Sequence, residues 1–316
     1  MLKQISLEVN DYCNNACIMC NIHYNKWVDK TSPDEYTHML SRPEFRSLKE
    51  VSITGGEPFS RNDIDKVMDA IINSLPNLEW LLINTNGTYL SKTKDIVEKY
   101  VNKVKKFSVS VSLEGEKEIH EKIRGVKSFD AVMKTLEFLS NFSKSHQNFS
   151  FMISTTITSL NADMSQLLFI KSTAEKLGCT YTFRIASASN TYYLNDSSIL
   201  TGLTPEKIRM ITRFIHEYCK NDVFEQFQKQ YLETGQTGLG CTAGTDFAFV
   251  HADGNIYPCI FSTRIIGDKK HGITVMGIND LGKFEPCPCC TECTIYEMIN
   301  YGPAKNLEIS KLIMSK

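Results

Sequence analysis

The feature that most constrains the fold is a regular alternation of strand-like and helix-like segments over the first 186 residues. The helical segment from Ile64 to Leu75, for example, places its apolar side chains three and four positions apart. Alternation of this kind predicts a parallel sheet covered by helices. Six short segments rich in Val, Ile, Leu, Phe and Ser are predicted strands: residues 4–9, 50–54, 80–84, 107–113, 149–156 and 180–185.

Six strand–helix units predict an α/β protein with an open, partial (β/α)6 barrel related to the eight-unit TIM barrel. In such a barrel the chemistry belongs at the carboxyl ends of the strands. Thr204-Pro205-Glu206 predicts the start of a later helix. Segments on either side of residues 251–254, His-Ala-Asp-Gly, predict a hairpin. We therefore expect a barrel domain over 1–220, a small domain of β-hairpin plus helix over 240–300, and a tail over 301–316.

Charge and hydropathy exclude several classes of protein. The chain has 316 residues with 35 Lys and Arg against 36 Asp and Glu, so a broad basic face for nucleic acid is not expected. No apolar run approaches the roughly 20 residues of a membrane helix, and residues 1–10 lack the pattern of a signal peptide. We expect a cytoplasmic protein that binds neither nucleic acid nor membrane. In that reducing compartment, its 11 cysteines indicate metal binding rather than disulfides.

Three cysteines, Cys13, Cys17 and Cys20, follow the first predicted strand directly. Thiolates suit zinc and iron–sulfur clusters. A four-iron cluster held by three thiolates has one iron left open for a further ligand. The triplet alone leaves two alternatives, a structural zinc site completed by His23 and free buried cysteines.

Motifs at the ends of the next three strands, together with the triplet, resemble those of radical S-adenosylmethionine (radical SAM) enzymes. Residues 55–58 read Gly-Gly-Glu-Pro, residues 84–87 read Asn-Thr-Asn-Gly and residues 113–115 read Leu-Glu-Gly. Relatives usually have Leu-Asp-Gly at the last of these, so Glu114 is a small departure. The resemblance covers about residues 1–190, and four strands match in register.

The resemblance implies that Cys13, Cys17 and Cys20 ligate a 4Fe-4S cluster whose open iron is chelated by S-adenosylmethionine. An electron from a flavodoxin-like or ferredoxin-like donor would cleave that molecule to a 5′-deoxyadenosyl radical, which takes a hydrogen atom from the substrate. The implied S-adenosylmethionine contacts are Gly55, Gly56 and Glu57 for the ammonium, Arg124 for the carboxylate, Ser110 or Ser112 for the ribose, Asn86, and the backbone at Met19 and 184–186 for the adenine.

A second group of cysteines lies near the other end of the chain. Cys241 and Cys259, with Gly254 between them, resemble the start of a SPASM or twitch domain, which carries an auxiliary cluster. That resemblance implies a second 4Fe-4S cluster on Cys241, Cys259, Cys290 and Cys293, with Cys287 as an alternative ligand. No later cysteine run of the longer domain is present, which favours the short twitch form. A zinc ribbon is the alternative.

Four cysteines are left over by this assignment. Each could donate a hydrogen atom to a substrate radical, and each could equally be a buried small residue. They are Cys179, Cys219, Cys287 and Cys289.

The sequence leaves three reactions, and therefore the substrate, open. They are oxidation of an alcohol, as in twitch-type aminoglycoside dehydrogenases, epimerisation of a sugar or peptide residue, and crosslinking of a ribosomal peptide. The chain starts at strand one, which disfavours crosslinking unless a separate partner delivers the peptide. We predict substrate contact by residues 187–196, which include Asn190, Tyr192, Tyr193 and Asn195. The alternative from a different functional class is a zinc-binding protein that has no catalytic activity. A molybdenum- or tungsten-cofactor cyclase would want a C-terminal Gly-Gly, whereas this chain ends Met-Ser-Lys.

Overall fold

The computed structural model describes residues 2–25, 31–187, 189, 192–195, 202–220, 222–234, 243–262 and 264–274. The strands are β1 (Gln4–Glu8), β2 (Glu50–Thr54), β3 (Trp80–Thr85), β4 (Lys106–Ser112), β5 (Phe149–Ile157), β6 (Thr180–Ile185), β7 (Phe247–Val250), β8 (Asn255–Tyr257), β9 (Gly267–Asp268) and β10 (Gly272–Ile273). The α-helices are α1 (Pro33–Leu40), α2 (Ile64–Ser74), α3 (Leu90–Tyr100), α4 (Lys117–Arg124), α5 (Phe129–Ser143), α6 (Met164–Leu177), α7 (Pro205–Tyr218) and α8 (Val223–Thr234).

All of these strands form one sheet in the order β10-β9-β8-β7-β1-β2-β3-β4-β5-β6. Strands β1 to β6 pair in parallel with their sequence neighbours, and helices connect them. No pairing between described strands closes the sheet, so the barrel is open and partial. The predicted fold class and all six predicted strands are confirmed.

The sheet is apolar on the side that faces the helices. On β1, Ile5 and Leu7 are fully buried in the main core, while Gln4 and Ser6 face a cavity on the other side. Helix α2 contributes Val67, Met68 and Ile71 to the same core, because residues three and four apart share one helix face. The periodicity seen in the sequence therefore places the core between the sheet and its outer helices.

Strand β7 extends the barrel sheet at β1. It pairs in parallel with β1 from Gln4 opposite Phe247 to Leu7 opposite Val250. The predicted hairpin is confirmed, since β7 and β8 are antiparallel around a turn in which Gly254 has a φ of 91°. The described part of the later chain thus continues the sheet of the barrel. The domain boundaries stay a prediction, and the expected helix after Cys293 lies outside the described residues.

Helix α8 covers the outer edge of β6. The Glu225 carboxylate accepts a hydrogen bond from the backbone N–H of Phe183 at 2.8 Å, and the Gln228 amide donates to the carbonyl of the same residue. Both side chains are buried, so they take the place that a further strand would have in the ladder. Within the described part of the chain, no helix is long and apolar enough to cross a membrane.

Candidate functional site

A cavity of about 280 Å³ lies against the inner face of the sheet. The interior of an eight-unit barrel is filled mainly by Val, Ile and Leu, whereas small polar side chains predominate on these inner strand positions and leave room. Nine of the ten residues predicted for the first cluster and for S-adenosylmethionine line this cavity: Cys13, Cys17, Cys20, Gly55, Gly56, Asn86, Ser110, Ser112 and Arg124. Met19, Ile185 and Ala186, predicted for the adenine, line it too.

The loop that carries the three cysteines is anchored to the C-terminal end of α4. The backbone N–H of Ala16 donates to the carbonyl of Arg124 at 3.0 Å, and that of Ile18 donates to the carbonyl of Ile123 at 2.9 Å. Gly125 ends the helix in the left-handed conformation, φ 68°, and lies against Ala16. The helix end therefore fixes the path of the loop between Cys13 and Cys20.

The sulfur atoms of this loop receive polar contacts from three directions. The backbone N–H of Asn15 lies 3.4 Å from Cys13 Sγ, and the Asn86 amide lies 3.8 Å from the same atom. Arg124 Nη1 lies 3.5 Å from Cys17 Sγ. Hydrogen bonds to ligand sulfurs are among the features that set the potential of an iron–sulfur cluster.

Burial raises the pKa of the Cys13 thiol to about 11 and that of the Cys20 thiol to about 12. Metal binding at these residues must therefore displace protons, since thiolate is the ligating form. Among the described residues, no three Cys, His, Asp or Glu side chains converge on the position of a single metal ion. His23 contacts the carbonyl oxygen of Cys20 at 3.0 Å through Nδ1. A four-iron cluster takes each thiolate on a different iron, so three thiols spread around one cavity fit it better than they fit zinc.

The glycine pair brings the second strand end onto the cysteine loop. Gly56 N–H donates to the carbonyl of Asn10 at 2.9 Å, and Glu57 N–H donates to the carbonyl of Tyr12 at 2.8 Å. A Cβ atom at Gly56 would lie 2.1 Å from the Tyr12 carbonyl oxygen. Only glycine allows this approach of the two backbones, so the sequence motif is explained by contact within the chain.

Glu57 is the one predicted S-adenosylmethionine contact that does not line the cavity. Its carboxylate is fully buried and accepts hydrogen bonds from Asn86 N–H at 2.6 Å, Thr85 Oγ1 at 2.9 Å and Phe59 N–H at 3.0 Å. Burial raises the pKa of this carboxyl to about 7. The three donors tie the ends of β2 and β3 together, and a contact of Glu57 with an ammonium stays a prediction.

Arg124 is held beside Cys17 by Glu114. The two side chains form a buried ion pair, and the second carboxylate oxygen of Glu114 accepts from Thr156 N–H at 2.7 Å. Burial raises the pKa of Glu114, while Arg124 opposes that rise. Arg124 Nε is buried and has no hydrogen-bond partner. In the sequence, Glu114 is notable only because it replaces the usual Asp. In the structure, Glu114 orients the side chain of Arg124.

The segment that follows β6 lies over the cysteine loop. Tyr192 Oη is 2.6 Å from Thr54 Oγ1 and donates to the Gly55 carbonyl at 3.2 Å. Tyr192 and Tyr193 line the cavity, as substrate contact would require. The amide of Asn195 instead donates to the Met19 carbonyl at 2.7 Å. Asn190 lies outside the described residues.

The remaining cysteines fall into three groups. Cys259 is described and packs with the apolar group that also includes Cys13 and Cys20. Cys179 and Cys219 pack against the main core, away from the cavity lining, which suits small buried residues. The others lie outside the described residues, so the auxiliary cluster stays a prediction: Cys241, Cys287, Cys289, Cys290 and Cys293.

Comparison with known families agrees with this site. Residues 7–159, about half of the chain, match the model of the radical SAM superfamily. A match to that superfamily implies a 4Fe-4S cluster and S-adenosylmethionine.

Individual relatives are distant. The chain is 25% identical over 301 residues to an AdoMet-dependent heme synthase of Methanosarcina barkeri, which covers 85% of this chain and 79% of that protein. It is 27% identical over 148 residues to a GTP 3′,8-cyclase of Haemophilus influenzae, and the match spans 42% of this chain and only 40% of the cyclase.

Several solved structures share the fold. One is anSMEcpe with bound AdoMet and Kp18Cys peptide, with a TM-score of 0.64, 16% identity and full coverage of both chains. Another is SuiB of Streptococcus suis bound to S-adenosylmethionine, with a TM-score of 0.64 and 16% identity, covering 90% of this chain and 67% of that one. At this identity the likeness concerns the fold alone.

Proposed function

We propose that this protein is a radical SAM enzyme that binds a 4Fe-4S cluster through Cys13, Cys17 and Cys20 and abstracts a hydrogen atom from a small polar molecule or a peptide residue. The observation that carries the proposal is that the three thiols line one cavity, which is also lined by Arg124, Ser110 and Ser112. When bound, the cluster and S-adenosylmethionine supply a low-potential electron and a 5′-deoxyadenosyl radical.

The residues of the chain bind and orient these groups. The buried guanidinium of Arg124, with Nε still unpaired, offers a charge-assisted hydrogen bond to the methionine carboxylate. Glu114 keeps that guanidinium beside Cys17. Ser110 and Ser112 offer hydroxyls to the ribose, and the rings of Tyr192 and Tyr193, which also line the cavity, help to exclude water.

The proposal includes an auxiliary 4Fe-4S cluster on Cys241, Cys259, Cys290 and Cys293, with Cys287 as the alternative ligand. It is supported by the position of Cys259, which packs against the same apolar cluster as Cys13 and Cys20. A cluster at this place would accept an electron from a substrate radical or assist its epimerisation. A flavodoxin-like or ferredoxin-like donor in the cytoplasm would supply the first electron.

Modification of a ribosomal peptide is the second candidate. SuiB bound to its precursor peptide SuiA has the same fold, with a TM-score of 0.63 and 15% identity, and anSMEcpe was solved with peptides. These likenesses favour including a peptide substrate among the tests.

The proposal is tested by iron content after anaerobic purification. We expect about eight irons per chain, four for each of two clusters, and formation of 5′-deoxyadenosine when S-adenosylmethionine and dithionite are added. Replacing Cys13, Cys17 and Cys20 by Ala should remove about half of the iron and all of the cleavage.

The matched control replaces Cys179 and Cys219 by Ala, because these cysteines pack in the core outside the cavity. That variant should keep its iron and its cleavage activity. A protein that holds zinc and no iron would contradict the proposal and support a structural zinc protein. About four irons per chain with cleavage intact would support the first cluster and contradict the auxiliary cluster.

A further inference from the structure

Two arginines line the cavity within the described part of the chain, Arg124 and Arg184. Arg124 pairs with Glu114 and lies 3.5 Å from Cys17 Sγ. It is the residue proposed above for the carboxylate of S-adenosylmethionine, and that molecule has a single carboxylate. The second arginine, Arg184, therefore matches no anionic group of S-adenosylmethionine.

Strand β6 directs Arg184 into the cavity. Because successive side chains of a strand point to opposite faces, Phe183 packs in the main core while Arg184 lines the cavity. Arg184 lies opposite Thr156 near the carboxyl end of β6. Since β6 is two strand spacings, roughly 10 Å, from β4, Arg184 lies beside the region assigned to Arg124 and not within it.

The surroundings of Arg184 suit an anion. The carbon at the centre of its guanidinium lies 5.9 Å from the centre of the Phe224 ring at the start of α8, and Phe224 also lines the cavity. Ser154 and Thr156 on the neighbouring strand line the cavity as well and carry hydroxyl donors. A guanidinium with hydroxyls beside it is a donor set that binds a carboxylate or a phosphate.

The carboxylates next to this region are engaged elsewhere. Asp222 accepts a hydrogen bond from Glu225 N–H at 3.1 Å, and Glu225 accepts one from Phe183 N–H at 2.8 Å. Glu50 lies at the amino end of β2, the opposite end of the parallel strands from Arg184. A guanidinium has five N–H donors, so contacts within the chain are compatible with a two-pronged bond to a ligand.

We propose that Arg184 recognises the substrate and that the group it binds is anionic, a carboxylate or a phosphate. This inference rests on the proposed function and narrows it. A small molecule or peptide residue that carries such a group fits the cavity, and a cationic substrate such as an aminoglycoside is disfavoured.

The charge preference is tested by anaerobic NMR titration of the iron-loaded protein with S-adenosylmethionine present. Acetate and inorganic phosphate are the probes, and acetamide is the uncharged control because it has nearly the shape of acetate. We expect saturable binding of acetate or phosphate, whichever binds more tightly indicating the class of anion. Acetamide should bind about tenfold more weakly or less, because it forms no charge-assisted hydrogen bond. Saturable binding of neither anion, or equal binding of acetamide, would overturn the proposal.

The role of Arg184 is tested by Arg184→Met, with Arg46→Met as the matched control. Arg46 is exposed and does not line the cavity. We expect Arg184→Met to weaken anion binding about tenfold, the loss of a charged hydrogen bond, and Arg46→Met to leave it unchanged. Arg184→Lys keeps the charge without the planar fork and should retain part of the affinity, so the test remains decisive if Arg184→Met does not fold.

Anion binding that is unchanged in Arg184→Met, with weaker binding of S-adenosylmethionine, would assign this side chain to the adenine and overturn the proposal. Cleavage of S-adenosylmethionine by the unaltered protein is measured separately. Absence of cleavage with anion binding that depends on Arg184 counts against the proposed function alone. Cleavage without anion binding counts against this inference alone, so the two failures are distinguishable.

Discussion

Gly56 lies where the second strand end meets the cysteine loop, and its backbone is in contact with the backbone of Tyr12. The carboxylate of Glu57, the next residue, accepts hydrogen bonds from Phe59, Thr85 and Asn86. Both residues therefore shape the cavity by holding the loop. Their effect on a cluster is expected through the position of Cys13, which follows Tyr12 directly.

Replacing Gly56 by Ala is expected to displace the cysteine loop, because the new Cβ would lie 2.1 Å from a backbone oxygen that cannot rotate away. We expect the iron bound at the first site to fall by more than half and the free energy of unfolding to fall by about 1–3 kcal/mol, as for an overpacked site. Iron analysis and urea unfolding measure the two effects.

Gly178→Ala is the matched control. Gly178 ends α6 with a φ of 72°, and a Cβ there meets nothing within 4 Å. That variant should lose about 1 kcal/mol of stability from backbone strain and bind iron normally. Normal iron in Gly56→Ala would show that the loop tolerates the displacement and would contradict the argument.

At the level of elements, the contact between α8 and the edge of β6 closes one side of the open sheet. Glu225 is fully buried, and burial raises the pKa of its carboxyl to about 8. Between about pH 5 and pH 8 the folded protein therefore keeps a proton that the unfolded chain, whose Glu pKa is 4.5, has released. The unfolded state binds fewer protons in this window, so Glu225 makes stability fall as pH rises through it.

Glu225→Gln is expected to flatten the loss of stability between about pH 5 and pH 8, because the amide cannot ionise and still offers an acceptor to Phe183 N–H. Glu225→Ala leaves that N–H without its acceptor and should cost about 1–3 kcal/mol. Urea unfolding at several pH values measures both. Glu206→Gln, an exposed change on α7, is the control, and an unchanged slope in Glu225→Gln would refute the assignment.

At the scale of the whole molecule, one sheet joins the barrel to the described part of the later chain. Strand β7 covers the edge of β1 and contributes four buried residues, Phe247–Val250. The turn after β7 is also attached to β1, since Ala252 N–H donates to the buried carboxyl of Glu8 at 3.2 Å. The strand that leads into the cysteine loop is therefore stabilised on both edges.

A chain shortened to end at residue 239 is expected to aggregate or to unfold at a lower temperature, because the edge of β1 and its apolar neighbours become exposed. A chain that ends at residue 274 keeps β7 to β10 and is the control. Thermal unfolding and light scattering compare the two. A shorter chain as stable as the control would support a barrel that folds without β7.

The six barrel strands, α2, α7 and the β7–β8 hairpin were predictable because their signals are local. Apolar periodicity, Thr204-Pro205 at a helix start and Gly254 in a turn each act within a few residues. The cysteine triplet was equally visible, since its spacing alone requires the three thiols to lie close together.

The sequence by itself determined the fold class and the identity of the cluster ligands expected at the first site. Only the tertiary structure decided that β7 pairs with β1, that the Glu57 carboxylate accepts hydrogen bonds from residues at the ends of β2 and β3, and that Glu114 holds Arg124 beside Cys17. These features join residues far apart in the chain. They follow from strand register and from which buried donors and acceptors meet, and no short segment of sequence specifies either.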